Sequence, residues 1–312
     1  MLYDALIIGG GPAGLSAALT LGRARRSALL LDAGPARNAA AAQVHNLFTR
    51  DGTPPAELRS IARAQLAAYP QVRVQDARVE RVERVEGARG AFSVWAGGEV
   101  HRARRLLLCL GMIDEMIDLE GFAAMWGRSI VICPYCHGWE VQDRRMGVLA
   151  QQPEQLEFAL MLRGWSAEVV VLTGGALPIP PEQRARLTTG GVAIDERPLR
   201  RLLGEDGVLH AVEFDDGAQR PLEVLFARPP QRQQPLVAAL GLALDGHGFV
   251  QVDPMRRETS APGVYAAGDL CTPMQAAAAA VGQGMHAAAA LNHELTVELA
   301  LAGALPPGPP RA

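Results

Sequence analysis

The apolar run Leu2-Tyr3-Asp4-Ala5-Leu6-Ile7-Ile8 passes directly into Gly9-Gly10-Gly11-Pro12-Ala13-Gly14. An Ala- and Leu-rich helical pattern follows, and then Ala28-Leu29-Leu30-Leu31 closes on Asp32. Strand, glycine turn, helix, strand and acidic residue in this order constrain the fold more than any other feature of the chain. Gly9 permits a tight turn, Gly11 lets a pyrophosphate approach the backbone, and Gly14 allows the helix to lie close on the strand. Pro12 and Ala13 open the helix, whose N-terminus favours phosphate, and Asp32 is placed to bond a ribose hydroxyl. The expectation is a dinucleotide-binding βαβ unit in an α/β fold.

Farther along, residues 56–68 carry an apolar helical stripe at Leu58, Ile61 and Leu66. Residues 72–74, 77–85 and 91–96 read as strands of a small antiparallel layer, and residues 106–111 return to a buried strand. Arg78 to Arg89 alternate with Val and Glu, the pattern of a solvated strand face. The βαβ pattern then restarts, with strands at 146–150 and 168–172 around a helix at 154–162. Its turn is Gln151-Gln152-Pro153-Glu154-Gln155. The fingerprint glycines are missing there, Glu154 opposes phosphate, and Thr173-Gly174-Gly175-Ala176-Leu177 brings no Arg cluster. Strands at 192–194, 208–214 and 223–227 complete this region. Residues 259–269 form a strand with a terminal Gly268-Asp269, and a long helix starts near residue 274. The Pro-rich last eight residues are expected to fray.

Between the two units lies Cys133-Pro134-Tyr135-Cys136-His137-Gly138-Trp139-Glu140. By itself this spacing is compatible with half a metal site, a redox pair or two unrelated thiols. A structural zinc site needs about four ligands, and no second Cys pair exists, so no metal is assigned. His137, when neutral, can take a thiol proton; protonated, it stabilises a thiolate. Tyr135 and Trp139 read either as cleft-lining or as packing residues. His45 with Asn46 reads either as a cofactor approach or as loop support. Cys109 and Cys271 read as packing residues.

A net charge of -3 gives nucleic acid little support as a partner. No apolar run of roughly eighteen residues suggests a membrane span. Four Cys make no secreted disulfide framework. With no signal-like N-terminus, a cytoplasmic location is expected.

With Gly9 to Leu15, Cys133 to Gly138 and Thr259 to Asp269 in this order, the chain resembles the low-molecular-weight thioredoxin reductase family of flavoproteins over nearly its whole length. The resemblance implies two Rossmann-like, three-layer ββα domains, the second inserted in the first. Residues 1–112 and 247–312 would form the FAD-binding domain, and 113–246 an NAD(P)-type domain carrying the Cys pair. A true thioredoxin reductase usually has Asp after its second Cys. His137 in that place is similar to the dithiol oxidase branch that includes gliotoxin oxidase, and Asp32-Ala33-Gly34 with Arg37-Asn38 suits that branch.

Carried over by motif, Cys136 would lie nearer the flavin, Cys133 would exchange with a dithiol or disulfide substrate, and His137 would shuttle the proton. The substrate would be a small molecule or a thioredoxin-like protein. Gly9, Gly11, Gly14, Asp32 and Asp269 would hold FAD, with Asn46, Gly111, Gln275 and Ala276 as further contacts. The eroded second turn leaves NAD(P)H in doubt, and a homodimer is expected. The favoured function is an NAD(P)H-independent dithiol oxidase with an electron acceptor the sequence does not identify. The rivals are an NAD(P)H-dependent or ferredoxin-linked thioredoxin reductase and a non-catalytic flavoprotein sensor.

Overall fold

The computed structural model describes residues 1–85 and 91–305. Arg89 and the tail from residue 306 lie outside them. The chain divides into two compact units: one of Met1–Arg37, Pro55–Ile113 and the chain from Arg232 onward, the other of Asn38–Pro54 and Asp114–Gln231.

In the first unit the strand Leu2–Ile8 is central, with Ala28–Asp32 and Glu99–Leu108 paired parallel on its two sides. Val72–Asp76 extends the parallel edge beyond Ala28–Asp32. Phe92–Ala96 and Val79–Arg84 continue antiparallel beyond Glu99–Leu108, onto which Val264–Ala266 also pairs. Residues 72–74 therefore belong to the main sheet and not to the expected antiparallel layer. They follow the helix Pro55–Leu66, and a strand–helix–strand crossover returns its strand parallel.

The central strands are apolar on both faces because both are covered. Ala5, Ile7, Ala28, Leu30 and Leu107 pack toward the helices Pro12–Arg23 and Ala277–Leu301. Leu6, Ile8, Leu29, Leu31, Leu106 and Leu108 face Phe92, Val94, Val237, Leu242 and Val250. Each fully buried Leu or Ile contributes about 1.5–3 kcal/mol. The two helices meet so closely that a Cβ on Gly284 would run into the carbonyl of Ala13, and Ser16 Oγ donates to the Val281 carbonyl at 2.8 Å.

The second unit repeats the scheme. Five parallel strands run in the order Val192–Asp195, Val169–Leu172, Met146–Leu149, Val224–Phe226, Ile130–Val131. Helices Glu154–Leu162 and Pro181–Thr189 pack on one side through Leu156, Ala159, Leu162 and Leu187. A three-stranded antiparallel sheet covers the other through Leu202, Leu209, Val212 and Phe214. The strands Leu199–Glu205 and Gln219–Pro221 in that sheet were not foreseen in the sequence.

Two boundaries differ from those expected. The chain returns to the first unit at Arg232, not after residue 246, because Val237 and Leu242 join the core with Phe92 and Val250. Residues 38–54 group with the second unit: Ala40 occupies the space a Cβ on Gly127 would need, and His45 faces Glu140. Asn46, expected among the cofactor contacts, thus belongs to the unit that carries the Cys pair.

Candidate functional site

In the first unit, Gly9 has φ +113°, and a Cβ there would strike the Cys109 carbonyl. A Cβ on Gly14 would strike the Gly9 carbonyl, so the helix can lie against the turn only without side chains at both positions. Gly10 is needed as well, because a Cβ there would meet the Asp32 carboxylate. Gly11 differs: nothing lies within 4 Å of where its Cβ would be. That open space stands before the N–H groups of the helix Pro12–Arg23, which has Pro in its first turn and no acidic residue there. Unpaired N–H groups, the positive end of the helix dipole and an unfilled approach make an anion cradle.

Gly111, with φ +63°, also faces open space. Gly268, with φ +94°, presents its N–H to Gln283 Oε1 at 2.9 Å and leads into Asp269. Gln275 and Ala276 immediately precede the final helix, where the Ala280 N–H donates to the Ala276 carbonyl at 2.9 Å.

Asp32 is buried at the end of its strand. Its Oδ1 accepts from the Gly34 N–H at 3.2 Å, and its Oδ2 meets Arg59 and Arg63. The Nε atoms of both arginines are buried without a hydrogen-bond partner. Buried donors left unmade mark a place where a polar ligand can add bonds. The open glycines, the unpaired donors and Asp32 suit a dinucleotide such as FAD. Arg59 and Arg63 were missed in the sequence because they sit on a different helix from the turn, with no local motif to mark them.

The second unit holds the Cys pair on a single helical turn, Pro134–His137, after Cys133 in extended conformation. The Gly138 N–H donates to the Pro134 carbonyl at 2.6 Å, and a Cβ on Gly138 would come within 2.8 Å of Trp165 Nε1. Tyr135 packs edge-on against Trp165 with ring centroids 5.7 Å apart.

The Sγ atoms of Cys133 and Cys136 are 2.8 Å apart, with the Cys136 thiol donating. That bond draws the Cys133 thiol down to about 6 against the opposing effect of burial, helped by the N–H groups of Cys136 and Tyr135 and the charge of Arg228. The lowered Cys133 thiol favours the thiolate, the form that reacts with disulfides. By contrast, burial pushes Cys109 up, assisted by Cys271, and raises Cys271 to about 12. These two are inert packing thiols.

His137 is lowered, chiefly by burial and also by His45, against the Cys133 carbonyl and Glu140. Its Nδ1 lies 3.4 Å from the Cys133 carbonyl, and its Nε2 is buried without a partner. A neutral ring with one unengaged nitrogen can exchange a proton. Behind it, His45 sits between two carboxylates, 3.4 Å from Asp51 Oδ2 and 3.4 Å from Glu140 Oε1. Asp51 also accepts from the Asn46 N–H at 2.7 Å, and this bond, then His45, holds its carboxyl below the usual range. Asn46 takes φ +57° in this turn. The geometry favours the loop-supporting reading of His45 and Asn46.

At the second βαβ turn, the Gln151 and Gln152 N–H groups both donate to Gln155 Oε1, at 2.6 and 2.9 Å. Glu154 and Glu157 occupy the first turn of the following helix. The backbone donors a pyrophosphate would use are already taken by the chain's own side chain. Gln155 escaped sequence reading because a glutamine in a helix carries no such signal by itself.

A flavin-type glycine cradle and a vicinal thiol pair with a neutral imidazole define a disulfide oxidoreductase of the nucleotide-binding class. Comparison with known proteins agrees. The model of the pyridine nucleotide-disulphide oxidoreductase family matches residues 3–284. Thioredoxin reductase tcpT of Claviceps purpurea is 34% identical over 278 residues, 86% of each chain. Thioredoxin reductase sirT of Leptosphaeria maculans is 30% identical over 94% of each. The crystal structure of HlmI superposes with a TM-score of 0.89 at 35% identity, covering 97% of this chain and 95% of that one.

The chain belongs to the pyridine nucleotide-disulphide oxidoreductase family. It is a thioredoxin reductase-like, FAD-dependent disulfide oxidoreductase, as its three motifs led us to expect.

Proposed function

We propose that the protein is a dithiol oxidase that works without NAD(P)H. The observation that carries this reading is the occupation of the second nucleotide-type turn by Gln155, with two glutamates beside it. A pyridine nucleotide would have to displace both hydrogen bonds and bring its diphosphate against Glu154 and Glu157.

In the proposed cycle a substrate thiol gives its proton to neutral His137 and attacks Cys133 Sγ of the Cys133–Cys136 disulfide. A substrate–Cys133 bond forms, the bond between the cysteines breaks, and Cys136 leaves with the electron pair. After His137 has released that proton to solvent, the second substrate thiol gives it its own and attacks the substrate sulfur bound to Cys133, closing the substrate disulfide and expelling the Cys133 thiolate. A thiolate with pKa about 6 is a good leaving group. Bound FAD would supply a two-electron acceptor for the reduced cysteine pair, reached through Cys136, with oxygen or another acceptor as the final oxidant. Gly9, Gly11, Pro12, Ala13, Gly14, Asp32, Gly111, Asp269, Gln275 and Ala276 would hold it.

The substrate we favour is a small apolar dithiol. Among the described residues the exposed aromatic side chains are Phe48, Tyr135 and Trp139, all within a few positions of His45 or the Cys pair. Exposed aromatics around a reactive group are suited to holding an apolar body.

Anaerobic mixing of the flavin-loaded protein with a dithiol or with NADPH tests the reading. We expect dithiols to bleach the flavin and Cys136→Ser to abolish the bleaching. Rapid bleaching by micromolar NADPH would overturn it in favour of a nucleotide-driven reductase. A flavin indifferent to both would point to a protein electron donor.

A further inference from the structure

Three stretches of the first unit, remote in sequence, meet at one guanidinium. Arg37 lies in the short turn Arg37–Ala40 after the second strand. Its Nη1 donates to Gln275 Oε1 at 2.7 Å and to Asp269 Oδ2 at 3.3 Å. Asp269 opens the turn Asp269–Cys271, and Gln275 lies just ahead of the final helix. The loop between them is short and irregular, so its side chains depend on outside partners for a fixed orientation. Gln283 supplies one such hold at the Gly268 N–H, Gln233 another at the Leu270 carbonyl, and Arg37 bears on the Asp269 and Gln275 side chains.

The Arg37 and Asp269 side chains are only 21% and 23% exposed. An ion pair this sheltered is screened far less than one at the surface. One charged nitrogen shared by a carboxylate and an amide carbonyl also selects a single rotamer for each acceptor, since charge-assisted bonds are the strong ones.

We infer that Arg37 is a positioning residue for the bound dinucleotide: it orients Asp269 and Gln275 and neutralises the Asp269 carboxylate. This rests on the reading that Asp269 and Gln275 hold FAD. Removing Arg37 takes this neutralising charge from the Asp269 carboxylate, and added negative charge near a redox group disfavours its more electron-rich form. The consequence reaches beyond affinity to the reduction potential, which a merely structural tie would leave alone.

The test uses the flavin-loaded protein and two readouts, the FAD dissociation constant and the two-electron potential against reference dyes. In Arg37→Met we expect FAD to dissociate about tenfold more readily. The balance between reduced and oxidised forms should shift about tenfold toward the oxidised, equivalent to about 30 mV. Arg37→Lys keeps the charge, so its potential should stay with the wild type while its FAD binding weakens. Wild-type values of both quantities in Arg37→Met would overturn the inference. Should that variant fail to fold, Gln275→Leu and Arg37→Lys decide: each should bind FAD more weakly at unchanged potential, and wild-type affinity in both would overturn it. A wild-type protein that takes up no flavin sinks the FAD reading itself, whereas a flavin-replete wild type with an indifferent Arg37→Met sinks only this inference.

Discussion

Cys136 donates its thiol hydrogen to Cys133 across 2.8 Å, and the two sulfurs are thereby made unequal. Cys133, accepting that bond and two backbone N–H groups, is drawn down to about 6 from an ordinary 9.0. A lowered thiol pKa means that the thiolate is populated above about pH 6 and is lost below it. In the reduced protein, Cys133 alkylation by iodoacetamide should therefore rise through a midpoint near 6. Cys136→Ala removes the largest cause and should move the midpoint up by more than one pH unit. A wild-type midpoint near 9 would show that the asymmetry is absent.

His137 is the proton carrier in the proposed cycle. Replacing it with Ala should slow flavin reduction by dithiols about 10²–10⁴-fold at pH 7, measured by stopped flow, with the Cys133 titration still present. Its folded pKa lies below the unfolded 6.5 because the neutral ring is buried. The folded state thus binds fewer protons there than the unfolded chain. The associated stability is full above pH 6.5 and is lost as pH falls through the folded value. Denaturant midpoints of His137→Phe should fall less on acidification than those of the wild type.

Gly11 and Gly14 look alike in the motif but not in the fold. A Cβ on Gly14 would collide with the Gly9 carbonyl, whereas one on Gly11 would meet nothing within 4 Å. Gly14→Ala should cost about 1–3 kcal/mol in unfolding free energy through overpacking. Gly11→Ala should leave the flavin-free protein as stable as the wild type and yet impair flavin retention. Equal stability losses in the two variants would show that the space before Gly11 is not a ligand approach.

Gln155 caps two N–H groups at its turn, so Gln155→Ala should destabilise the protein by about 1 kcal/mol, read from urea unfolding. Calorimetry should show no saturable NADPH binding by the wild type. Glu154→Gly/Gln155→Gly uncovers the donors and removes one opposing charge, and should bind NADPH more tightly than the wild type.

The sequence by itself determined whatever depends on residues close together along the chain. Strand, glycine turn, helix and Asp32 were legible because Gly9, Gly10 and Gly14 each answer a contact made within the turn or with a neighbouring strand. The closeness of Cys133 and Cys136 was legible from their spacing, and so was the loss of glycines at the second turn. The tertiary structure alone decided where long-range partners fall. Residues 38–54 joined the second unit because His45 faces Glu140, nearly a hundred positions away, and no periodicity encodes such a pairing. Arg59 and Arg63 came to Asp32, and Arg37 reached Gln275, through side-chain conformations that tertiary packing selects. Local backbone preference wrote the motifs. The burial and neutralisation of polar groups, which depend on the whole surroundings, decided which residues complete them.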